Sequence, residues 1–281
     1  RVFDVDYTRL CLPDGGELFL TRYGEPLREA LLPARWYDER RYSQDGRRLE
    51  GGTGAVYHLA VPHERLGEVR LVIKFSRFAR DVPLSVSSEF LAWVPQRDLD
   101  GARFNGPFEE FGELMRLRRN SGTVASSGSN TPAGPRPRML TKRPLAIYVP
   151  SEHVPLWRSG RTAGAFDPCR RLQDEDQAQY PPERRVVLDI HRRYVLLFGW
   201  VKGLDGVQML QQGLLDEADL KRITLRSVDE LSALGFRMLD VKPRHLILRR
   251  RPDGSLLARH GEFVYALIDF ELLLPTAGAK A

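Results

Sequence analysis

The sequence predicts an α+β fold, and three kinds of pattern support that prediction. Short apolar, strand-like runs separated by turn signals recur along residues 1–198. Two amphipathic patterns with a period near 3.6 residues, at 106–118 and 216–234, predict helices. An apolar run at 264–268 ends on Asp269, and such a strand end is a common way to present a carboxylate to a metal or substrate.

Composition limits the class of protein. The chain has 281 residues, enough for one large or two modest domains, and its 42% apolar content is enough for a packed core. The net charge of +6 would suit a nucleic-acid partner. The basic residues are spread along the chain without a recognisable nucleic-acid motif, so we expect no such partner.

The cysteines and the hydropathy pattern indicate a cytoplasmic location. Cys11 and Cys169 are the only cysteines, and their spacing fits neither a metal site nor a disulfide framework. A reducing compartment is therefore expected. No apolar run approaches transmembrane length, so we expect no membrane partner.

Residues 1–45 are predicted to form an N-terminal extension. Two strand-like pieces, Leu10–Leu12 and Glu17–Thr21, flank the turn signal Pro13-Asp14-Gly15-Gly16. An aromatic and charged segment follows at 36–42, and it shows no pattern of chemical significance.

A glycine-containing turn precedes a strand with a lysine in it. Gly51, Gly52 and Gly54 lie in the segment LEGGTGAVY at 49–57, where glycines allow a tight turn between strands. Lys74 lies in the apolar run LVIKF, and a buried ammonium needs a partner because an unpaired buried charge is costly. An exposed edge position for Lys74 is the alternative.

The helix at 106–118 offers two acids as partners for Lys74. Its inward face is predicted to carry Phe108, Phe111, Leu114 or Met115, and Leu117. Glu110 and Glu113 lie on the same helix and are two candidates. Glu89 is a third candidate, nearer to Lys74 in sequence.

A long insertion is predicted at about 119–185. Residues 120–138 are rich in Ser, Gly and Pro without periodicity, which is typical of a flexible loop. Residues 139–185 are expected to be irregular except for one strand at Leu145–Val149. Val186–Ile190 and Tyr194–Phe198 then predict a hairpin, and the segment 199–203 follows it.

The last part of the chain presents two aspartates. Asp216 can cap the helix that ends near Gly235, and Asp240, Lys242 and His245 follow before the apolar run 246–248. Asp253-Gly254 signals a turn before the second apolar run, which leads to Asp269.

In this order, the segments resemble the protein-kinase-like superfamily, as a divergent, bacterial-looking serine/threonine-kinase-like domain. Asp240-x-Lys242-Pro243 is similar to the catalytic loop, and Asp269-Phe270-Glu271 to the metal-binding Asp-Phe-Gly. LEGGTGAVY is similar to the glycine-rich loop and LVIKF to the strand with the ATP lysine.

The resemblance implies a bilobal fold. Residues 46–203 would be a small lobe with an antiparallel sheet and long insertions, and 199–203 the hinge. Residues 204–281 would be a partial, helical large lobe, either truncated after the Asp-Phe-Glu motif or belonging to a minimal kinase fold.

The resemblance also implies ATP and Mg²⁺ as cofactors, with Mn²⁺ as an alternative ion. Asp240 would orient or deprotonate the acceptor hydroxyl, Lys242 would neutralise γ-phosphate charge, and Asp269 would ligate the metal. His245 stands where the family has its second metal ligand; it would ligate a metal there, or hydrogen-bond Asp240 or a phosphate. The nucleotide would contact or depend on these residues: Gly51, Gly52, Gly54, Val56, Lys74, Glu110, Glu113, Trp200 and Val201. The family has an apolar residue four positions after the glutamate that pairs with the lysine; Leu114 matches it for Glu110 and Leu117 for Glu113, and Glu110 is preferred.

Two functions follow from the resemblance. The first is an ATP-dependent phosphotransferase that passes the γ-phosphate to an unidentified hydroxyl acceptor, on a protein serine or threonine or on a small molecule. The alternative is a pseudokinase, a nucleotide-binding or scaffolding module without catalysis. Lys74, Asp240, Lys242 and Asp269 favour the first. The departures favour the second: Leu49 for the first loop glycine, His245 for the asparagine, Glu271 for the glycine, and the short C-terminal part.

Overall fold

The protein, studied as a computed structural model, is described over residues 1–49, 54–83, 94–122 and 139–276. The predicted α+β class is confirmed: the described chain is mixed α+β with a large antiparallel sheet and several helices. It divides into two compact units. The first comprises Arg1–Leu84, Arg103–Gly112 and Arg143–Trp200, and the second Ser85–Ala102, Glu113–Lys142 and Val201–Ala281. The last division, after Trp200, falls inside the segment predicted as the hinge.

The first unit is built on a seven-stranded antiparallel sheet. With strands and helices numbered along the described chain, its order is β1-β2-β7-β8-β5-β4-β3. The strands are β1 Thr8–Cys11, β2 Glu17–Leu20, β3 Arg47–Arg48, β4 Val56–His63, β5 Gly67–Phe75, β7 Pro144–Val149 and β8 Val195–Gly199. The helices are α1 Arg28–Leu31, α2 Pro33–Trp36, α3 Arg41–Gln44, α6 Leu156–Ser159 and α7 Ala163–Gln177.

Residues 1–45 belong to this sheet and its core, which is a closer association than the predicted extension implied. The hairpin of β1 and β2 forms where predicted, and β2 pairs with β7. Trp36 is fully buried; its indole ring packs edge-on against Tyr148 with centroids 5.7 Å apart, and its Nε1 donates to Leu31 O. Burying such large aromatic surface is a major source of stability.

The predicted insertion at 139–185 is more regular than expected. The strand at 145–149 is confirmed as β7, but the prediction of an irregular remainder was wrong, because α7 occupies residues 163–177. Its N-terminus is capped by Thr162, whose hydroxyl accepts from Ala165 N at 3.2 Å. The residues that α7 buries are Cys169, Gln173 and Gln177, two of them polar, so no apolar period marked the helix.

The hairpin predicted at 186–198 was also wrong in its first half. Val195–Gly199 forms β8, but residues 186–190 form no strand. Strand β8 pairs with β5 on one side and with β7 on the other. Both of its edges are therefore occupied, and no hydrogen-bonding edge is left for a preceding arm.

The second unit consists of helices and three small sheets. Its strands are β6 Leu140–Thr141, β9 Leu204–Asp205, β10 Phe236–Met238, β11 Leu246–Leu248, β12 Ala258–Arg259, β13 Glu262–Phe263, β14 Tyr265–Leu267 and β15 Leu273–Pro275. They pair as β6-β14-β11-β9, β10-β15 and β12-β13. The helices are α4 Gln96–Asp100, α8 Gly206–Gln211 and α9 Glu217–Ala233.

The long helix α9 begins and ends where the sequence predicts. The Asp216 carboxylate accepts from Asp219 N at 2.6 Å, and Gly235 takes φ +85° just after the helix. Within the described part of the chain, none of the helices combines the length and apolar character that a membrane span requires.

Helix α5, Pro107–Gly122, extends one turn beyond the predicted 106–118. The start of the flexible loop predicted at 120–138 was therefore wrong, since residues 120–122 are helical; residues 123–138 lie outside the described residues. Its residues up to Gly112 belong to the first unit and those from Glu113 onward to the second. Phe108, Phe111, Leu114 and Leu117 are all fully buried, which confirms the predicted inward face.

Candidate functional site

In the first unit, Lys74 and Glu110 form a buried ion pair. Lys74 lies on β5, and its Nζ is 3.1 Å from Oε1 and 3.3 Å from Oε2 of Glu110. The two side chains are only 7% and 1% exposed. Of the two glutamates proposed on the helix, Glu110 is therefore beside the lysine, whereas Glu113 pairs with Arg116 at 3.2 Å. Glu89 lies outside the described residues.

The glycine-containing segment joins two paired strands next to Lys74. Strands β3 and β4 are antiparallel, and Leu49 N donates to Val56 O at 2.9 Å. Val56 is the direct cross-strand partner of Lys74. Gly51 and Gly52 lie outside the described residues, while at Gly54 a Cβ would meet the Arg77 side chain at 3.6 Å. The pairing of β4 with β5 thus places Val56 beside Lys74.

Trp200 follows directly after β8 and is held to the sheet. Its N–H donates to Arg70 O at 3.0 Å, and its ring lies 4.2 Å from that of His58. Burial, together with the charges of Arg70 and Arg47, lowers the pKa of His58. Val201, the other predicted hinge contact, belongs to the second unit.

In the second unit, strand pairing fixes two loops side by side. Residues 239–245 connect β10 to β11, and residues 268–272 connect β14 to β15. The strands that flank the first loop, β10 and β11, pair with the strands that flank the second loop, β15 and β14. Both ends of each loop are therefore held next to the other loop. Two further bonds join the loops, Leu239 N to Leu272 O and Ile268 N to His245 O, both 3.1 Å. Asp240 and Asp269 are therefore presented on neighbouring loops.

Asp240 is paired with the lysine two residues later. Lys242 Nζ lies 2.7 Å from Oδ1 and 2.9 Å from Oδ2 of Asp240. The Asp240 and Lys242 side chains are 27% and 48% exposed. Both groups can thus reach a ligand, and the lysine can exchange the aspartate for a phosphate at modest cost, because exposed pairs are weak.

His245 faces Asp269. The sequence left three roles for this histidine: metal ligand, partner of Asp240, or partner of a phosphate. Its Nε2 lies 3.7 Å from Asp269 Oδ2, and its Nδ1 is buried without a hydrogen-bond partner among the described residues. No hydrogen bond between His245 and Asp240 occurs in the described part of the chain.

The carboxylate oxygens in these loops suit a hard divalent cation that receives most of its ligands from phosphates and water. Mg²⁺ commonly binds through one or two carboxylates and completes its shell with phosphates and water. The Asp269 carboxylate, 29% exposed, meets that requirement. Over the described ranges there is no group of three or more His, Cys, Asp and Glu side chains arranged to hold a metal by themselves.

Lys142 is a buried cation beside this site that the sequence analysis missed. It is 5% exposed, and its Nζ lies 5.6 Å from the centre of the Phe270 ring. It follows β6, which pairs in parallel with β14 and is fastened by Arg118, whose Nη1 donates to both oxygens of Thr141. The lysine sits in the interval predicted to be irregular, where no pattern marked it.

Gly206 packs against the loop that carries Asp240, and the sequence analysis did not single it out either. It is the first residue of α8, after the Asp205 cap, and a Cβ there would lie 2.7 Å from Pro243 O. Only a residue without a side chain permits this approach.

Comparisons with known proteins add little to this geometry. No protein-family model and no curated protein matches the sequence. A solved structure of WbdD with a kinase inhibitor aligns with 83% of this chain at 15% sequence identity and a TM-score of 0.30. The chain spans 33% of that protein's length. A likeness this weak carries no argument about function, so the proposals below rest on the residues themselves.

Proposed function

We propose that the chain is an ATP-dependent phosphotransferase of the protein-kinase-like type, which passes the γ-phosphate of ATP to a hydroxyl acceptor. The observation that carries this proposal is the pair of loops held together by β10-β15 and β11-β14, with Asp240 and Lys242 on one loop and Asp269 on the other. The buried Lys74–Glu110 pair supports it independently.

Each side chain has a task that its surroundings suit. In the transfer, the acceptor oxygen bonds to the γ-phosphorus, the bond to the β–γ bridging oxygen breaks, ADP leaves, and the hydroxyl proton passes to Asp240. Lys242 is a compact point charge within reach of Asp240 and can compensate charge on the moving phosphoryl group. Asp269 would hold Mg²⁺, which when bound neutralises phosphate charge.

The Lys74 ammonium has a different role from that of Lys242. Glu110 holds it in one position on the sheet, so the ammonium is oriented before any nucleotide arrives. Such preorganisation lowers the cost of binding because little reordering is needed. We propose that Lys74 contacts the α- and β-phosphates, and that Val56, Trp200 and the glycine-containing turn surround the rest of the nucleotide.

One observation favours the alternative, a nucleotide-binding module without catalysis. The carboxylates of both loops already have cationic or imidazole partners, Lys242 for Asp240 and His245 for Asp269. In a module of that kind these pairs would stabilise the loops and would not exchange partners during a reaction.

The experiment that separates the two functions measures ATP turnover with Mg²⁺ and with Mn²⁺ in the parent chain, Asp240→Asn and Asp269→Asn. In an enzyme, Asp240→Asn abolishes turnover and spares nucleotide binding, whereas Asp269→Asn weakens metal-dependent binding as well. Asp253→Asn, on an exposed turn, is the matched control and should behave as the parent. Equal turnover in the parent and Asp240→Asn would refute catalysis.

A further inference from the structure

We propose that Arg80 and Arg161 form an anion site in the first unit and that this site takes a phosphate group. The proposal goes beyond the proposed function, because it uses none of the residues assigned to the nucleotide, the metal or the acceptor. Three observations carry it. The two side chains lie together, no carboxylate of the described residues pairs with either of them, and their charge and donors match phosphate.

The two arginines lie where the turn after β5 meets the segment that leads into α7. Thr162 N donates to Ala79 O at 2.9 Å, which joins the two segments. A Cβ on Gly160 would lie 3.8 Å from Arg80 Nε, so the Arg80 side chain runs directly beside Gly160. Ala79 takes φ +61°, which is uncommon for a residue with a side chain, and it turns the chain just before Arg80. The backbone therefore holds Arg80 next to the residue that precedes Arg161.

Arg161 is buried among neutral groups. The residue is 7% exposed, and its Nη1 donates to Ile190 O at 2.7 Å and to Arg192 O at 2.6 Å. Its guanidinium carbon lies 4.2 Å from the centre of the Phe78 ring. Its Nε is buried and has no hydrogen-bond partner among the described residues. Carbonyl oxygens and an aromatic ring thus serve part of the group, but they supply no negative charge to compensate it.

Arg80 has no compensating charge either. Its side chain makes no hydrogen bond or ion pair with the described residues, and its Nε is buried. Burial and the charge of Arg77 lower the pKa of Arg80. Burial, together with the charge of Arg80, lowers the pKa of Arg161 to about 10, whereas Tyr194 and Asp189 act in the opposite direction. The local potential is therefore positive, and Arg80, which is only partly buried, can be reached from solvent.

The charge and the number of donors favour phosphate over carboxylate. A guanidinium group binds oxyanions through a planar fork of N–H donors. The fork of Arg80 is unused by the described residues, and that of Arg161 gives only Nη1 to main-chain carbonyls. A phosphate group brings about two negative charges and three acceptor oxygens, which match two guanidinium groups. A carboxylate brings one charge and two oxygens, which match one.

Calorimetric titration of the full chain tests the site. The ligands are inorganic phosphate, methyl phosphate and acetate, at an ionic strength held constant with sodium chloride. We expect Arg80→Gln to weaken phosphate binding about tenfold or more, because it removes hydrogen bonds from a charged donor. Arg80→Lys keeps the charge but loses the fork, so it should also bind phosphate less tightly than the parent. Arg171→Gln removes an exposed arginine from α7 in the same unit and is the matched control, with parental affinity expected.

The outcomes are distinct. A loss of phosphate affinity in the Arg80 variants but not in Arg171→Gln supports the site, and comparing the two phosphates then shows whether it prefers the free ion or an ester. Parental affinity in Arg80→Gln, or equal losses in Arg80→Gln and Arg171→Gln, would overturn it. So would a parent that binds no phosphate or that binds acetate more tightly. If Arg80→Gln does not fold, Arg80→Lys decides by the same comparison.

Discussion

The charged pairs of the two units differ in burial and in how they are held. Lys74 and Glu110 come from a strand and a helix far apart in sequence and are almost completely buried. Asp240 and Lys242 are two residues apart, on one loop, and are 27% and 48% exposed. The side chains of the first pair are held in place by the residues packed around them. In the second pair the loop backbone is held by strand pairing, whereas the partly exposed side chains can change partners.

The difference teaches which charges the fold itself requires. A buried charge must keep its partner, because the loss of one leaves the other without compensation. An exposed pair contributes little to stability and can be broken when a ligand arrives. We therefore expect mutations in the first unit's pair to act on stability and binding together, and mutations in the second unit's pair to act on chemistry alone.

The largest expected effect is that of Lys74→Met. Methionine keeps the apolar stem but removes the ammonium that compensates the buried Glu110 carboxylate, which should lower the free energy of unfolding by about 3–5 kcal/mol. Urea unfolding measures this loss. The double variant Lys74→Met/Glu110→Gln removes both charges and should recover most of it; a double variant as unstable as the single one would show that the pair is not the cause.

Gly206→Ala should have the next largest effect and tests whether the second unit's loop is as rigid as its strands suggest. The added methyl group would lie 2.7 Å from Pro243 O, too close for the loop to stay in place. We expect a loss of about 1–3 kcal/mol and reduced turnover. Gly164→Ala, near the start of helix α7, meets no atom within 4 Å and has no positive φ, so it controls for the addition of a methyl group near a helix start. Parental turnover in Gly206→Ala would mean that the loop yields easily.

Asp240→Asn should change stability by less than about 1 kcal/mol, because its ion pair is exposed. The stability losses of Asp240→Asn and Lys74→Met together measure how much the exposed pair and the buried pair differ. Thermal unfolding of the two variants should differ clearly, although both should lose turnover. A drop in Asp240→Asn as large as that in Lys74→Met would break the distinction between a pair fixed by packing and a pair fixed by its backbone.

The smallest expected effect concerns His58. Its pKa is lowered from 6.5, so the folded protein favours the neutral ring. This contribution to stability is fully present above pH 6.5 and declines as the pH falls below that value, because the unfolded chain then binds the proton more readily. His58→Phe should flatten this decline in urea midpoints measured at successive pH values. The same slope in both proteins would assign the acid sensitivity to other groups.

The sequence predicted those features of the fold that an apolar period or a turn residue encodes. The hairpin around Gly15, the cap at Asp216 and the end of α9 at Gly235 all have such local signals, and the structure has them there. Helix α7 has none, because it buries Gln173 and Gln177 and contains Pro168. The burial that holds it in place depends on neighbours that are distant in sequence.

The candidate site shows the same division. Lys74 could be singled out because a lysine within an apolar strand is unusual, but the sequence left its partner open among Glu110, Glu113 and Glu89. The structure identifies Glu110. The facing of His245 and Asp269 depends on β10, β11, β14 and β15, which are each three residues long. Strands this short carry no measurable period, so only the folded chain reveals that their loops meet.

The pairing of β11 with β14 has a further consequence for protein engineering. Leu248 and Tyr265 are cross-strand partners. The segment between them, which includes β12 and β13, therefore starts and ends at residues that are already paired. We expect that the exposed turn around Asp253 can change in length without moving Asp240 or Asp269, because exposed loop tips tolerate insertions. That turn is therefore the expected insertion point for a tag, a reporter or a recognition module.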